Sequence, residues 1–234
     1  MTNPMDLADI CSEARIRSLE DGEPSLEAEL ERMSSPVAVV CNGVLKPGAG
    51  KLIDAHPSVL RINYFRLAGF EEFCGERTTH WVTHGLRIYD PETPPLVQRL
   101  EGRLRKLLGR ELLERRRRVL PEVPPHLPAL VPLTWSRERV ENLESIGRSP
   151  RFIKNTRYLL PFKELHPFPT TGFKISCMLL MFGKELSLFG MNGLAGMYYY
   201  GGESNRWRPH MPNAMREREL LAASSRIRFV DSAT

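Results

Sequence analysis

The sequence predicts an α/β fold: one domain built on a mostly parallel sheet, with helices on both faces. Three observations carry that expectation. Strand-like stretches at 37–41, 58–62 and 79–83 follow one another about twenty residues apart, the spacing of βαβ crossovers. A second run of alternating helix and strand patterns occupies 172–231. The chain has 234 residues, 41% of them hydrophobic, enough for a single sizeable core, and no internal repeat divides it.

Residues 1–35 read as a helical segment packed on the domain, which itself occupies 36–234. Within it, Asp6–Leu19 and Ser25–Met33 are helices separated by the turn signal Asp21-Gly22-Glu23-Pro24. The first three strands come next. Pro91–Pro95 breaks the chain before a long helix whose Leu100, Leu104, Leu107, Leu108 and Leu112 share one side. Pro121–Pro132 is dense in proline and reads as a surface connector, and Ser136–Ile146 as a short helix. Phe168–Thr171 is a loop, Gly172–Phe182 a buried helix and Glu185–Met191 a strand. Pro212–Ala223 is a helix with proline in its first turn, and Arg226–Asp231 a last strand.

Composition removes several classes of function. The longest apolar run, Ile175–Gly183, stops after nine residues, too short to span a bilayer. The N-terminus lacks the basic-then-apolar order of a signal peptide. Four cysteines, Cys11, Cys41, Cys74 and Cys177, have neither C-x-x-C nor metal-ligand spacing, so reduced thiols and a cytoplasmic location are expected. The net charge of +5 is concentrated in Val97–Leu120, which holds nine Arg/Lys against three Glu. One basic segment without interleaved aromatics is not a nucleic-acid footprint. Ending in Arg115-Arg116-Arg117-Arg118, it suits a solvated helix face, or peripheral contact with an anionic membrane.

The chemistry-bearing residues gather at strand ends. Val37–Val40 leads to Asn42 and a loop with Gly43, Lys46 and Lys51; Val59–Ile62 leads to Asn63. In an open parallel sheet, ligands sit beyond the carboxyl ends of the strands. Two carboxamides there offer donors and acceptors to a phosphate, ribose or base without adding charge. The loop is not a Walker motif, since Leu45 and Leu52 stand where glycine and a hydroxyl are required, and no G-x-G-x-x-G is present. Thr170, Thr171 and Gly172 open the buried helix, where hydroxyls and free N–H groups can cap the helix or bind an anion. His210 precedes the last helix, and its ordinary pKa near 6.5 suits proton abstraction. His56 and His80 lack a nucleophile or metal partner at useful spacing, and His84, His126 and His166 fall on loops. Asp90-Pro91-Glu92 is the nearest approach to D-x-D, and its proline argues against a metal clasp.

Taken together, Asn42, Ile53-Asp54-Ala55-His56, Arg61-Ile62-Asn63, Gly69-Phe70-Glu71 and Gly75-Glu76-Arg77-Thr78-Thr79-His80 stand in the order and spacing of a known signature. The segment resembles the large sialyl motif of the sialyltransferases, glycosyltransferase family 29. Pro169-Thr170-Thr171-Gly172, with Glu185–Gly190 beyond the helix, resembles the small motif. Tyr198-Tyr199-Tyr200 falls where the family has H-Y-Y, and His210 where it has H-x-x-x-x-E. Two positions depart: Tyr198 replaces the first histidine, and Met215 replaces the glutamate, with Glu217 and Glu219 two and four residues later. Val37 and Gly183 stand at the positions of the disulfide that joins the two motifs in animal members, which accords with a bacterial-type member folding in a reducing compartment.

The resemblance implies a modified GT-A fold and an inverting, metal-independent glycosyltransferase without cofactor, using CMP-sialic acid as donor and a glycan as acceptor. It assigns His210 as general base, Tyr198 and Tyr199 to the phosphate, and Asn42, Gly43, Asn63, Thr170, Thr171 and Gly172 to the donor. A donor such as CMP-Kdo carries the same carboxylate and stays open as an alternative. So does a non-catalytic relative that binds a nucleotide or glycan, given the two departures.

Overall fold

The computed structural model describes residues 25–84, 122–134, 137–154, 169–191 and 211–230. The helices expected over 6–19 and 97–120 lie outside the described residues. Those described hold seven strands in one sheet: β1 (Val37–Val40), β2 (Ser58–Ile62), β3 (His80–Val82), β4 (Ala129–Thr134), β5 (Pro150–Ile153), β6 (Leu186–Phe189) and β7 (Ile227–Val230). They also hold six helices: α1 (Leu26–Arg32), α2 (Ala49–Asp54), α3 (Glu71–Cys74), α4 (Arg137–Glu144), α5 (Thr171–Met181) and α6 (Met211–Ala222). Strand order is β5-β4-β3-β2-β1-β6-β7, and every pairing is parallel. The α/β class expected from the sequence is the class observed.

Strand β1 is apolar throughout because both its faces are covered. In β1, all four residues are buried and alternate between two cores. Val37 and Val39 join Leu26 and Leu30 of α1, Phe173 and Ile175 of α5, and Leu221 of α6. Ala38 and Val40 meet Ile53 of α2 and Cys74 of α3 on the opposite face. A third cluster, around Trp81, Phe65, Val131 and Leu143, extends that opposite face under β3 and β4. Helix α5 is buried along nearly its whole length, including Gly172, Phe173 and Ile175 through Met181, as its mostly apolar sequence requires.

Two elements depart from the sequence reading. The proline-dense stretch 121–132 is not wholly a connector: its last residues enter β4, buried between β3 and β5. Pro132 is tolerated because it sits at a register shift between Val131 and Thr134, where a missing N–H interrupts no ladder bond. Strand β5 has no counterpart among the expected elements. It is the edge strand and opens on Pro150, a position where proline is allowed but where it hides the strand from pattern reading.

The order of the strands places the functional edge. The chain lays β2, β3, β4 and β5 successively to one side of β1, then returns to add β6 and β7 on the other. Neighbouring strands β1 and β6 therefore lead into connections that depart in opposite directions. That reversal opens a crevice beyond their carboxyl ends. Helices α5 and α6 each precede a parallel strand, so their N-termini lie at this same edge.

Candidate active site

Strands β1 and β6 end in contact. The Gly43 N–H donates to the Gly190 carbonyl at 3.0 Å, and Cys41 N–H to Phe189 O at 2.9 Å. Gly190 has φ of +63°, and a Cβ there would stand 2.8 Å from Cys41 O and 2.9 Å from Gly43 O. Only glycine lets the two chains pass this closely.

Asn42 and Asn63 meet at this edge but play unequal parts. The Asn42 side chain donates from Nδ2 to Ile62 O at 3.2 Å and to Tyr64 O at 2.6 Å. Two carbonyl acceptors consume both its N–H bonds, leaving Oδ1 as its available group. The expectation that both carboxamides offer donors to a ligand is thus corrected for Asn42, which presents an acceptor only. Asn63 adopts φ of +57°, the sole non-glycine residue with positive φ among those described. Its N–H bonds Val82 O at 2.7 Å and its carbonyl accepts from Trp81 Nε1 at 2.7 Å. The Asn63 Oδ1 atom is buried without a hydrogen-bond partner among the described residues. A strained backbone held from several sides, carrying an unsatisfied acceptor, is the kind of position found at ligand sites.

The start of α5 closes the crevice from the other side. Thr170 is its N-cap, and its Oγ1 accepts from Phe173 N at 3.2 Å. Gly172 packs against the end of β1: a Cβ at 172 would lie 3.2 Å from Cys41 Sγ and 3.4 Å from Ile62 Cδ1. Glu217, on α6 and 1% exposed, takes two bonds from Thr170, N–H to Oε1 at 2.7 Å and Oγ1–H to Oε2 at 2.6 Å. The Thr170 hydroxyl has therefore spent its proton and cannot donate to an anion. The N–H groups of Thr171 and Gly172, and the Thr171 hydroxyl, take no bond among the described residues. First-turn N–H groups point out of the helix toward its N-terminal end, here toward the edge of the sheet.

The charges around this turn follow from burial. Loss of water raises the Glu217 carboxyl above the usual carboxylate range, while the bonds from Thr170 and the charge of Lys174 act the other way. Burial lowers Lys174, helped by Arg139 and opposed by Glu217. Burial pushes the Cys41 thiol up to about 12, with Glu217 adding to the effect, so it stays a neutral thiol.

Much of the signature around these residues is scaffold. Asp54 accepts from Glu76 N and Arg77 N, both at 2.9 Å, and Arg77 donates to the carbonyls of His56 and Pro57. Arg61 is fully buried, bonds the carbonyls of Cys74 and Arg77 and the hydroxyl of Thr78, and stacks on Phe65. Thr79 Oγ1 ties to Val59 and to His80 Nδ1, and His56 Nδ1 lies 2.8 Å from Leu52 O. These contacts fix where β2 ends, and so where Asn63 stands.

His210, Tyr198 and Tyr199 lie outside the described residues. The structure brings together Asn42, Gly43, Asn63, Thr170, Thr171 and Gly172. It adds Cys41 and Gly190 at the ends of β1 and β6, and it places Glu217, one of the two glutamates the sequence left open, against Thr170. A Glu-bearing helix just after His210 was the one available signal for Glu217. Among the described residues no group of three His, Cys, Asp or Glu is placed to hold a metal ion, and no helix is long and apolar enough to cross a membrane.

Comparison with known proteins bears on this edge directly. Residues 17–91 match the model of glycosyltransferase family 29 (sialyltransferase). No curated protein matches the chain. Among solved structures, the chain is similar to a mammalian sialyltransferase in complex with Gal-beta-1-3GalNAc-ortho-nitrophenol, at 16% identity and a TM-score of 0.48, over 97% of this chain and 86% of that one. A second mammalian sialyltransferase structure is similar at 17% identity and a TM-score of 0.44, over 95% and 85% of the two chains. The stretch matched, residues 17–91, contains Asn42 and Asn63 and all of β1, β2 and β3.

Proposed function

We propose that this chain transfers sialic acid from CMP-sialic acid to a hydroxyl of a glycan acceptor, with inversion. The observation that carries the reading is the meeting of Asn42, Asn63 and the first turn of α5 at the edge where β1 and β6 part. The two Oδ1 atoms are acceptors and suit ribose hydroxyls or the amino group of cytosine. The N–H groups of Thr171 and Gly172 with the Thr171 hydroxyl are donors and suit a carboxylate or phosphate. A donor with a nucleoside at one end and a carboxylate beside its phosphate uses both sets.

In this reading the acceptor oxygen attacks the anomeric carbon as the bond from that carbon to the CMP phosphate oxygen breaks. His210, which precedes α6 in the chain, takes the acceptor proton. CMP departs as a phosphate monoester, so protonation of the leaving group is not required. The protein's task is to orient the donor and screen its charge, with Tyr198 and Tyr199 donating to the phosphate in place of a cationic histidine. No metal or cofactor enters the scheme.

The test is release of CMP from a panel of CMP-sugars, with and without glycan acceptors and with EDTA present. CMP-sialic acid is expected to turn over in EDTA, and His210→Ala to slow turnover about 100-fold or more with donor affinity little changed. Preferred turnover of CMP-Kdo would transfer the same chemistry to another acidic sugar. CMP binding without turnover of any CMP-sugar would make the chain a binding protein.

A further inference from the structure

Glutamate is expected five residues after His210, where Met215 stands, and Met215 is 55% exposed. Glu219 is no substitute, for it lies on the surface and pairs with Arg216 at 3.2 Å. Glu217 is the glutamate of α6 that turns inward, and its two carboxylate oxygens take both donors of Thr170. Thr170 is also the N-cap of α5. One carboxylate therefore ties the helix that follows His210 to the turn holding Thr171 and Gly172.

We infer that Glu217 is the positioning residue for the donor in this chain, and that it does so seven residues after His210 where the family pattern has five. The inference rests on the donor reading above. Its geometric content is the direction of the Thr170 hydroxyl. With Glu217 as the acceptor, that hydroxyl turns its proton inward and its lone pairs toward Phe173 N–H, fixing the first turn with the N–H groups of Thr171 and Gly172 outward. A glutamine at 217 keeps the shape but offers one acceptor and one donor. Thr170 Oγ1 must then accept from the amide, so one of the two charge-assisted bonds that tie α6 to the turn is lost and the turn is held less firmly. The fold survives while the turn presented to the donor changes.

The experiment measures dissociation of CMP-sialic acid by calorimetry, together with KM for donor and acceptor and kcat, in wild type, Glu217→Gln and Glu219→Gln. For Glu217→Gln the expected result is donor binding about tenfold weaker and a donor KM raised to match, one charge-assisted hydrogen bond's worth. Acceptor KM is expected to hold, and Glu219→Gln to match wild type throughout. Thr170→Val removes the hydroxyl from the other side and is expected to weaken donor binding alike. It supplies the reading should Glu217→Gln not fold, and the double variant is expected to be no worse than the weaker single one. Donor binding unchanged in Glu217→Gln or in Thr170→Val overturns this inference and leaves the donor reading standing. Wild-type protein that ignores CMP-sialic acid overturns both.

Discussion

Asn42 grips the chain on both sides of Asn63. Its Nδ2 reaches Ile62 O at 3.2 Å and Tyr64 O at 2.6 Å, the carbonyls of the residues that flank Asn63. Between those two bonds Asn63 turns to φ of +57° and leaves its Oδ1 buried, with no hydrogen-bond partner among the described residues. One asparagine thus acts largely through the other. Replacing Asn42 with Asp exchanges an amide nitrogen with two donors for one oxygen that faces two carbonyls. Asn42→Asp is expected to cost about 2 kcal/mol in urea unfolding and to weaken CMP binding. Wild-type stability would mean the clamp holds nothing.

Asn63 separates structure from ligand contact. Glycine accepts the left-handed backbone freely, whereas alanine strains there by about 1 kcal/mol. Asn63→Gly is therefore expected to be the more stable of the two variants by that amount. Neither carries a carboxamide, so both should lose CMP affinity together. CMP binding retained in Asn63→Gly would remove Asn63 Oδ1 from the site.

The approach of β1 and β6 depends on Gly190 more than on the other turn glycines. A methyl group at 190 meets backbone atoms of Cys41 and Gly43 in addition to a positive φ, whereas at Gly48, with φ of +85°, nothing lies within 4 Å. Gly190→Ala is expected to cost about 3 kcal/mol. Gly48→Ala should cost about 1 kcal/mol, from backbone strain alone. Equal losses in the two variants would show that the strands can part.

His80 gives the fold a pH dependence of known sign. Burial lowers its pKa from 6.5 to about 4, so the folded protein holds it neutral where the unfolded chain would protonate it. Between those values the unfolded state binds more protons. The stabilisation is complete above about 6.5 and is lost as pH falls through about 4. Its size is about 2–3 kcal/mol, and His80→Gln should flatten that part of the curve. Melting temperatures of the two proteins that fall in parallel over this range would assign the acid sensitivity to other groups.

Local pattern was enough for the fold class, the boundaries of β1, β2, α5, β6 and β7, and the presence of two asparagines and a threonine-glycine turn at element ends. Hydrophobic periodicity and caps are set within a few residues, and the sequence displays them. Tertiary structure alone decided three things. It made Pro132 part of a central strand, because the ladder there has a gap that needs no N–H. It spent the Asn42 donors on carbonyls up to 22 residues away, leaving Oδ1 as the polar atom of that side chain not used in the clamp. It set Glu217, and not Glu219, against Thr170 by bringing α6 beside that turn, 47 residues distant in the chain. A side chain's type states which hydrogen bonds it can make, and the partners that consume them are set by packing between elements far apart in sequence.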